Sequence, residues 1–541
     1  MPQITPTFLH LNLTTQTFEV KSYEELIPKV GGLGWALSLF EKFQREEPIV
    51  LSLGPLNNIF PGVSKIVAVF RSPQTGGLIT SLGGGFFSRF LRFAGYQGLV
   101  ITGKAPATTL VSVDEEGANF RQAQFLVGLE VPKVFEQIFS SEGVPSRRSV
   151  MISGPAAERD ITFAPLYVDE FFSFARGGLG SAFASKNLKG LVVSGAKSES
   201  IVDKRRYDEV FLGLMKRLKG YQELSRFGTL RNLAVEKKIT AVPFENLGES
   251  AFIFDRLLAP KFLEEMGGKR VSCSGCPVGC IHLFRLDKEF VFYDYEGVVA
   301  LGPLLGIADP IEVGRLIKRS WALGMDPTSL GVILAYVTEK EGLNFGSLDT
   351  YLTLIEALFE GKESWSKELR GGLPPDSEAL TLGGMEFLPY FNGYASVLSQ
   401  MLRLGATTEE NRGFILDLEL LDKEIDPRDV VSRLVAEEEK KTLSELLVGC
   451  GYLVGIFEDP AVAFAALEAL GGSFSHEGLM STAKEVFLQK LALQRLLGFN
   501  PLDVKIPKKF LKVPSAQGFL KEKKLQEMVG IYTDEIFESS G

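Results

Sequence analysis

Three cysteines fall within eight residues, Cys273-Ser274-Gly275-Cys276-Pro277-Val278-Gly279-Cys280, and the chain has one more, Cys450. Spacings of three and four let one loop present three thiolates to a single corner of a cube. Gly275 and Gly279 permit the tight backbone this requires. A [4Fe–4S] cluster takes four thiolates, and four are present. Zinc is the rival, although structural zinc sites usually come as two separated pairs of ligands. An incidental packing role for the thiols is the third reading. A cluster implies one-electron transfer and a partner that supplies or removes electrons. The three histidines, His10, His282 and His476, lie far apart and none has an HxxxH partner. Each reads as a surface or half-buried histidine rather than a zinc ligand.

The elements that must hold this loop come from a chain of 541 residues, too long for one core, so two to four domains are expected. Hydrophobic residues at 45% and charged residues at 23% are ordinary globular values. Net charge is −9 with no long single-sign block, which disfavours nucleic acid as a partner. No apolar run approaches the ~20 residues of a membrane helix; residues 451–457 come nearest and stop at Glu458-Asp459-Pro460. The start, Met1-Pro2-Gln3-Ile4-Thr5-Pro6, lacks the regions of a signal peptide, so a cytoplasmic protein is expected. Glycine, at 56 residues, exceeds the typical ~7%. Many of these glycines precede residue 200, which suggests backbone packed closely against something.

Residues 1–199 read mostly as β structure. Strands are expected at 8–13, 17–20, 49–53, 65–70, 98–102, 109–113, 149–153 and 190–194, with helices at 23–43 and 132–139. From about Ser200 helical periodicity takes over, with helices expected at 203–218, 310–323, 328–340, 348–359 and 481–497. Asp426-Pro427 starts another helix, directed towards Cys450. Residues 371–375 read as a loop or linker. The fold class is therefore α+β: a β-rich domain at 1–199, then helical domains at 200–388, with the three-cysteine loop, and 389–541, with the fourth cysteine.

Beyond the cysteines, the chain carries Gly54-Pro55, Ser72-Pro73-Gln74-Thr75-Gly76, Gly84-Gly85, Phe93-Ala94-Gly95-Tyr96, Gly154-Pro155-Ala156, Arg176-Gly177-Gly178-Leu179-Gly180 and Ser185-Lys186-Asn187-Leu188-Lys189. With these segments the chain resembles the aldehyde:ferredoxin oxidoreductase family of tungstopterin enzymes. After residue 360 the likeness thins to Glu386, Tyr390 and Asn411-Arg412-Gly413. The resemblance implies a [4Fe–4S] cluster on Cys273, Cys276, Cys280 and Cys450. It also implies an N-terminal domain of two β-sheets holding a tungsten or molybdenum bis-pterin, with Mg2+ on the pterin phosphates, and two mainly helical domains. The metal would hang on pterin sulfurs, so no protein ligand is needed. Glycine-rich loops and helix starts supply N–H donors suited to phosphates. On this likeness Gly83-Gly84-Gly85, Arg176-Gly177-Gly178, Lys65, Gly324, Asp326 and Glu445 are cofactor-binding residues. Glu296 matches a carboxylate near the metal that could move a proton as an aldehyde hydrate becomes an acid; Asp294 is a second candidate. The electron partner implied is ferredoxin or an iron–sulfur subunit, in a homodimer or hetero-oligomer.

Several positions depart from the family pattern. Its metal-side histidine falls on Leu416, which would make the pocket drier. Its two Asp-x-x-Gly-Leu-(Asp/Cys) motifs read Trp321-Ala322-Leu323-Gly324-Met325-Asp326 and Glu445-Leu446-Leu447-Val448-Gly449-Cys450. Trp321 cannot accept the pterin N–H bond that an aspartate accepts. Lys65 stands for an arginine and Leu82 for an asparagine. Arg315 and Lys318 occupy the places of a subunit-bridging Glu-x-x-His. Two function classes remain: a tungsten or molybdenum aldehyde oxidoreductase, and a paralogue that keeps fold and cluster as an electron-transfer or structural subunit of a larger complex.

Overall fold

Strands that are apolar on both faces must be covered on both sides, and residues 7–194 solve this with two stacked sheets. The structure is a computed structural model that describes residues 5–141, 148–197, 201, 203–248, 253–375, 378–404 and 411–540. The strands are β1 (Thr7–Asn12), β2 (Thr17–Ser22), β3 (Ile49–Ser52), β4 (Ile66–Arg71), β5 (Leu78–Gly83), β6 (Gly98–Thr102), β7 (Thr109–Asp114), β8 (Gly117–Gln122), β9 (Arg148–Ser153), β10 (Leu166–Val168), β11 (Phe172–Phe174) and β12 (Leu188–Ser194). The first sheet runs β2-β1-β6-β3-β4-β5, the second β11-β10-β9-β12-β7-β8. Neighbours are antiparallel except the parallel pairs β1/β6 and β7/β12.

The period of two divides each strand between two cores. Leu9, Leu11, Leu51, Phe70, Leu99 and Ile101 of the first sheet face Val111, Val113, Met151, Val168 and Leu191 of the second. On the outer face, Phe8, Val50, Val69 and Val100 pack against Leu33, Trp35 and Ala36 of the Gly32–Lys42 helix. The second sheet turns Leu110, Val150, Ile152 and Val192 to Val134, Phe135 and Ile138. Each such side chain contributes about 1.5–3 kcal/mol on burial. With both faces apolar, hydrophobicity does not fix the register; Gly98 does. A Cβ there would lie 2.1 Å from the Phe8 ring and 2.3 Å from the Leu51 carbonyl oxygen.

Past residue 203 helices dominate, and one device starts many of them. Asp309-Pro310, Asp326-Pro327, Asp426-Pro427 and Asp459-Pro460 each set an aspartate at the N-cap and a proline in the first turn. The carboxylate accepts the free N–H groups and proline forgoes one, a cap worth about 1 kcal/mol. The Pro427–Leu447 helix runs towards Cys450 as expected.

Two expectations fail. Residues 23–43 are not one helix: a 3-10 turn, Glu24–Lys29, contains Pro28, and a new helix, Gly32–Lys42, begins after Val30 at φ 67 and Gly31-Gly32. The helical region also contains a three-stranded sheet of β13 (Lys269–Val271), β14 (Ile281–Leu286) and β15 (Glu289–Tyr293), whose first two strands flank the cysteine loop. The expected boundary at 199/200 falls on residues outside those described. Among the described residues no single helix is long and apolar enough to cross a membrane.

Candidate active site

The four thiols pack on the two cores that flank the first sheet. Gly275 (φ 67) and Gly279 (φ 61) take left-handed conformations in the loop, as the tight turn requires. Ser274 N–H donates to the Gly85 carbonyl at 3.1 Å, and a Cβ on Gly84 would sit 2.8 Å from Cys273 Sγ. Cys273 packs on the inter-sheet core, while Cys276, Cys280 and Cys450 pack on the outer one. Cys450 arrives from the far side, its N–H on the Gly62 carbonyl at 3.2 Å. Lys65 lies between: its Nζ is 3.8 Å from the Gly84 Cβ position and 5.7 Å from the Tyr452 ring centroid. All four cysteines are half-buried and none forms a disulfide. Among the described residues, no three histidine, cysteine, aspartate or glutamate side chains form a group that could hold one metal ion.

The histidines have other partners. His10 Nε2 bonds the Tyr23 hydroxyl at 2.7 Å, His282 Nε2 the Ser225 carbonyl at 3.2 Å, and His476 meets the Phe464 ring edge-on.

A second cavity lies on the other side of the second sheet. Arg176, Asp294, Glu296, Trp321, Asp326 and Tyr167 line it. Asp294 caps the Tyr295–Leu301 helix through Gly297 N–H at 2.7 Å, which places Glu296 in the first turn. Glu296 is 3% exposed, and its Oε1 accepts the Tyr390 hydroxyl at 2.6 Å. The Tyr390 oxygen in turn accepts from Asn232 Nδ2 at 3.1 Å. Tyr295 stacks on Tyr390 at 4.7 Å, and Phe414 meets Tyr390 edge-on. Leu416 lies on the same Arg412–Glu419 helix as Phe414, buried. Burial pushes Asp294 up to about 6, with the charge of Asp326 adding to the rise.

Arg176 is buried at one corner of this cavity. Its Nε is 3.6 Å from Asp326 Oδ2, and its Nη2 donates to the Glu386 carbonyl. Asp326 also accepts Thr328 and Ser329 N–H as the cap of the Pro327–Lys340 helix. Among the described residues Arg176 Nε has an ion-pair neighbour in Asp326 and no hydrogen-bond partner. Glu386 closes the corner, accepting from Gln74 Nε2 at 2.5 Å and Leu373 N–H at 2.9 Å.

The glycines named from sequence sit against close neighbours on their Cα side. A Cβ on Gly83 would be 2.4 Å from the Phe174 ring, on Gly177 2.7 Å from Ile79, and on Gly178 2.0 Å from the Thr162 carbonyl oxygen. Gly324 ends the Pro310–Leu323 helix at φ 76 and lies against Gly154; a Cβ on either would come 2.7 Å from the other's Cα. At the second motif the left-handed cap falls on Val448 (φ 60), a conformation costly for a β-branched residue, because the glycine stands one place late.

Do these residues fit a pterin? At Glu445 they do: the side chain is 4% exposed and its Oε2 has no hydrogen-bond partner among the described residues, an acceptor awaiting an N–H. Asn411 is buried with both amide atoms unbonded among the described residues, a second such group. At the first motif the fit fails. Trp321 stacks on Phe171 and gives its indole N–H to the Glu170 carbonyl at 3.3 Å. Lys318 pairs with Glu289 at 2.7 Å on the β15 hairpin of its own chain.

Glu236 and Asn392 were not visible from sequence. Glu236 is fully buried, its Oε1 accepts Asn392 Nδ2 at 3.0 Å, and its Oε2 has no partner. Burial pushes its pKa up from 4.5 to about 8, with Asp417 adding to the rise. From pH 4.5 to about 8 the folded chain therefore keeps a proton that the unfolded chain releases, so stability falls as pH rises through that window. Glu236→Gln, neutral throughout, should remove this slope. Its urea midpoint should gain on wild type between about pH 5 and pH 9, by a stability on the order of a few kcal/mol. Parallel pH dependences for the two proteins would mean Glu236 is already ionised when folded.

Family models place the chain. The model for the N-terminal domain of aldehyde ferredoxin oxidoreductase matches residues 8–195, and the model for its domains 2 and 3 matches residues 211–372. The tungsten-containing aldehyde ferredoxin oxidoreductase of Pyrococcus furiosus is 29% identical over 354 residues, 61% of this chain and 58% of that relative. Its namesake from Pyrococcus horikoshii is 24% identical across 94% of this chain and 92% of its own. Among solved structures, the active-site complex BamBC of benzoyl coenzyme A reductase, with 1,5-dienoyl-CoA, superposes with a TM-score of 0.80 at 17% identity, covering 98% of this chain and 93% of its own, which shows a shared fold. Two domain models matched end to end over more than half the chain, on two stacked sheets followed by helices, make this a divergent member of the aldehyde ferredoxin oxidoreductase family.

Proposed function

We propose that the chain is an oxidoreductase that converts an aldehyde, or a similar low-potential substrate, to the acid. A tungsten or molybdenum bis-pterin would serve it, with Mg2+ on the phosphates and one [4Fe–4S] cluster on Cys273, Cys276, Cys280 and Cys450. The observation that carries this reading is Glu296, a buried carboxyl set by a helix cap and held by Tyr390 on a small cavity. Oxidation of an aldehyde hydrate releases two electrons and two protons. When bound, the metal would accept the electrons and the cluster would pass them on singly, to ferredoxin or an iron–sulfur partner subunit. Glu296 would take one proton at a carboxylate oxygen, its carboxyl plane fixed by the Tyr390 hydroxyl. Glu445 and Asn411 would hold pterin N–H and carbonyl groups, and Lys65 would sit beside the thiol loop as a cation. The apolar walls, Leu388 and Ile317 among them, would keep water out. We place the protein in the cytoplasm, as a homodimer or hetero-oligomer, with domains at 1–199, 200–388 and 389–541.

A second reading has its own support. Trp321 occupies an acceptor position and Leu416 replaces an acid–base group, and both losses suit a paralogue that keeps the cluster as a subunit of a redox complex. Metal analysis of anaerobically purified protein separates the two. About four irons with tungsten or molybdenum, and aldehyde-dependent viologen reduction, are the expected result. Iron alone, with no turnover across aliphatic and aromatic aldehydes, would establish the second reading.

A further inference from the structure

The Tyr394–Met401 helix ends with a left-handed residue at a position where glycine is favoured, and that residue is Arg403, at φ 54. Leu404 N–H returns to the Ser399 carbonyl at 3.0 Å, the closure expected after such a residue. An arginine there is conformationally costly, so its side chain must be held by something else. The guanidinium is built in on several sides. It lies over the Phe499 ring at 4.2 Å, and its Nε donates to the Gly383 carbonyl. A Cβ on Gly77 would fall 2.5 Å from Nη1 and one on Gly384 2.9 Å from Nη2, so the backbone is cleared to admit the fork.

Among the described residues no carboxylate pairs with this charge. Burial alone pulls the Arg403 pKa down to about 10, and no acid holds it up. Arg403 lines a cleft of about 220 Å3, together with Thr75, Asn500, Asp503 and Lys505. A guanidinium withdrawn from water without a counter-charge is costly, and a fork of N–H donors matches two oxygens of one oxyanion. Thr75 Oγ1 accepts from Gly77 N–H at 3.2 Å, which leaves its own proton to donate. Lys505 adds a cation at the rim, partly offset by Asp503.

We infer that this cleft is a binding site for a small oxyanion, a carboxylate or a phosphate group, gripped by the Nη edge of Arg403 with Thr75 and Lys505. It is separate from the Glu296 cavity: the Thr381–Glu386 hairpin puts Gly383 and Gly384 on the cleft and Glu386 against Arg176. The inference does not rest on the proposed oxidation.

Calorimetric titration of the full chain with inorganic phosphate and, separately, with acetate tests it, against chloride at matched ionic strength. Saturable binding of at least one oxyanion is expected, and the stronger of the two arms names the source. Arg403→Gly suits the left-handed backbone, so it should fold at least as well as wild type, yet bind at least about tenfold more weakly. Arg403→Lys keeps the charge without the fork and should bind with intermediate strength. Lys505→Ala, on the exposed rim, should weaken binding a few-fold with the fold untouched. Absence of saturable binding by wild type would overturn the inference, as would equal affinity in wild type and Arg403→Gly.

Discussion

Cys450→Ala should strip iron from the anaerobically purified chain, from about four atoms towards a partial or empty site, and remove most of the visible charge-transfer absorption. Cys450 is the only thiol from outside the 273–280 loop, so no other cysteine can replace it. Its backbone is fixed independently of the loop, by the Gly62 carbonyl behind it and by Leu453 N–H on its own carbonyl at 2.9 Å. The substitution therefore removes a ligand and leaves the turn. Cys450 is half-buried against an apolar cluster that includes Val278, Leu453 and Phe457, so alanine should be tolerated there. Folding should survive, and loss of iron then reports ligation rather than collapse. Unchanged iron in the variant would take Cys450 out of the ligand set. Stoichiometric zinc without iron in the wild-type protein would end the cluster reading.

What the sequence made legible was local. The β1/β2 hairpin, the β-rich runs and the Asp-Pro helix start all signal themselves within a few residues, and the cysteine loop announces itself by spacing and by Gly275 and Gly279. The layering of two sheets came from resemblance to a family, since both-face burial hides the alternation from which a single layer would be inferred. Long-range relations left no local trace. Arg176 meets Asp326 across 150 positions, and Gly154 meets Gly324 across 170. Motifs that look like separate ligand-binding loops meet at these contacts in a single joint between sheet and helix. Glu236, in Asn232-Leu233-Ala234-Val235-Glu236-Lys237-Lys238, reads as an exposed helical glutamate, and only its packing under Asn392 makes it a buried acid. The strands β14 and β15 escaped because charged residues interrupt them: Arg285 and Asp287-Lys288 are exposed at the hairpin end while Leu283 and Phe284 are buried. Pro28 and Gly31-Gly32 did carry a signal, a helix break, which the apolar periodicity around them outweighed.

Glu296→Gln should lower turnover by about 10²–10⁴, the usual worth of a positioned acid or base, with metal content and substrate KM little changed. Glutamine matches the shape of glutamate, and its amide oxygen can still accept the Tyr390 hydroxyl now 2.6 Å from Oε1. Cavity, helix cap and tyrosine stack should persist, so only the capacity to take a proton is lost. Tyr390→Phe makes the contrast. It removes the hydroxyl that orients the carboxyl while sparing the ring stacked on Tyr295, and its cost should be smaller than that of Glu296→Gln. Asp294, on the same cavity, is committed to the helix cap through Gly297, so it is poorly placed to stand in. With leucine at position 416 in place of a histidine, the proposed reading leaves Glu296 to carry the proton alone. Aldehyde-dependent viologen reduction, normalised to measured tungsten or molybdenum, provides the assay. If the Glu296→Gln rate equals that of wild type at equal metal content, the proton leaves by another route and Glu296 is part of the wall.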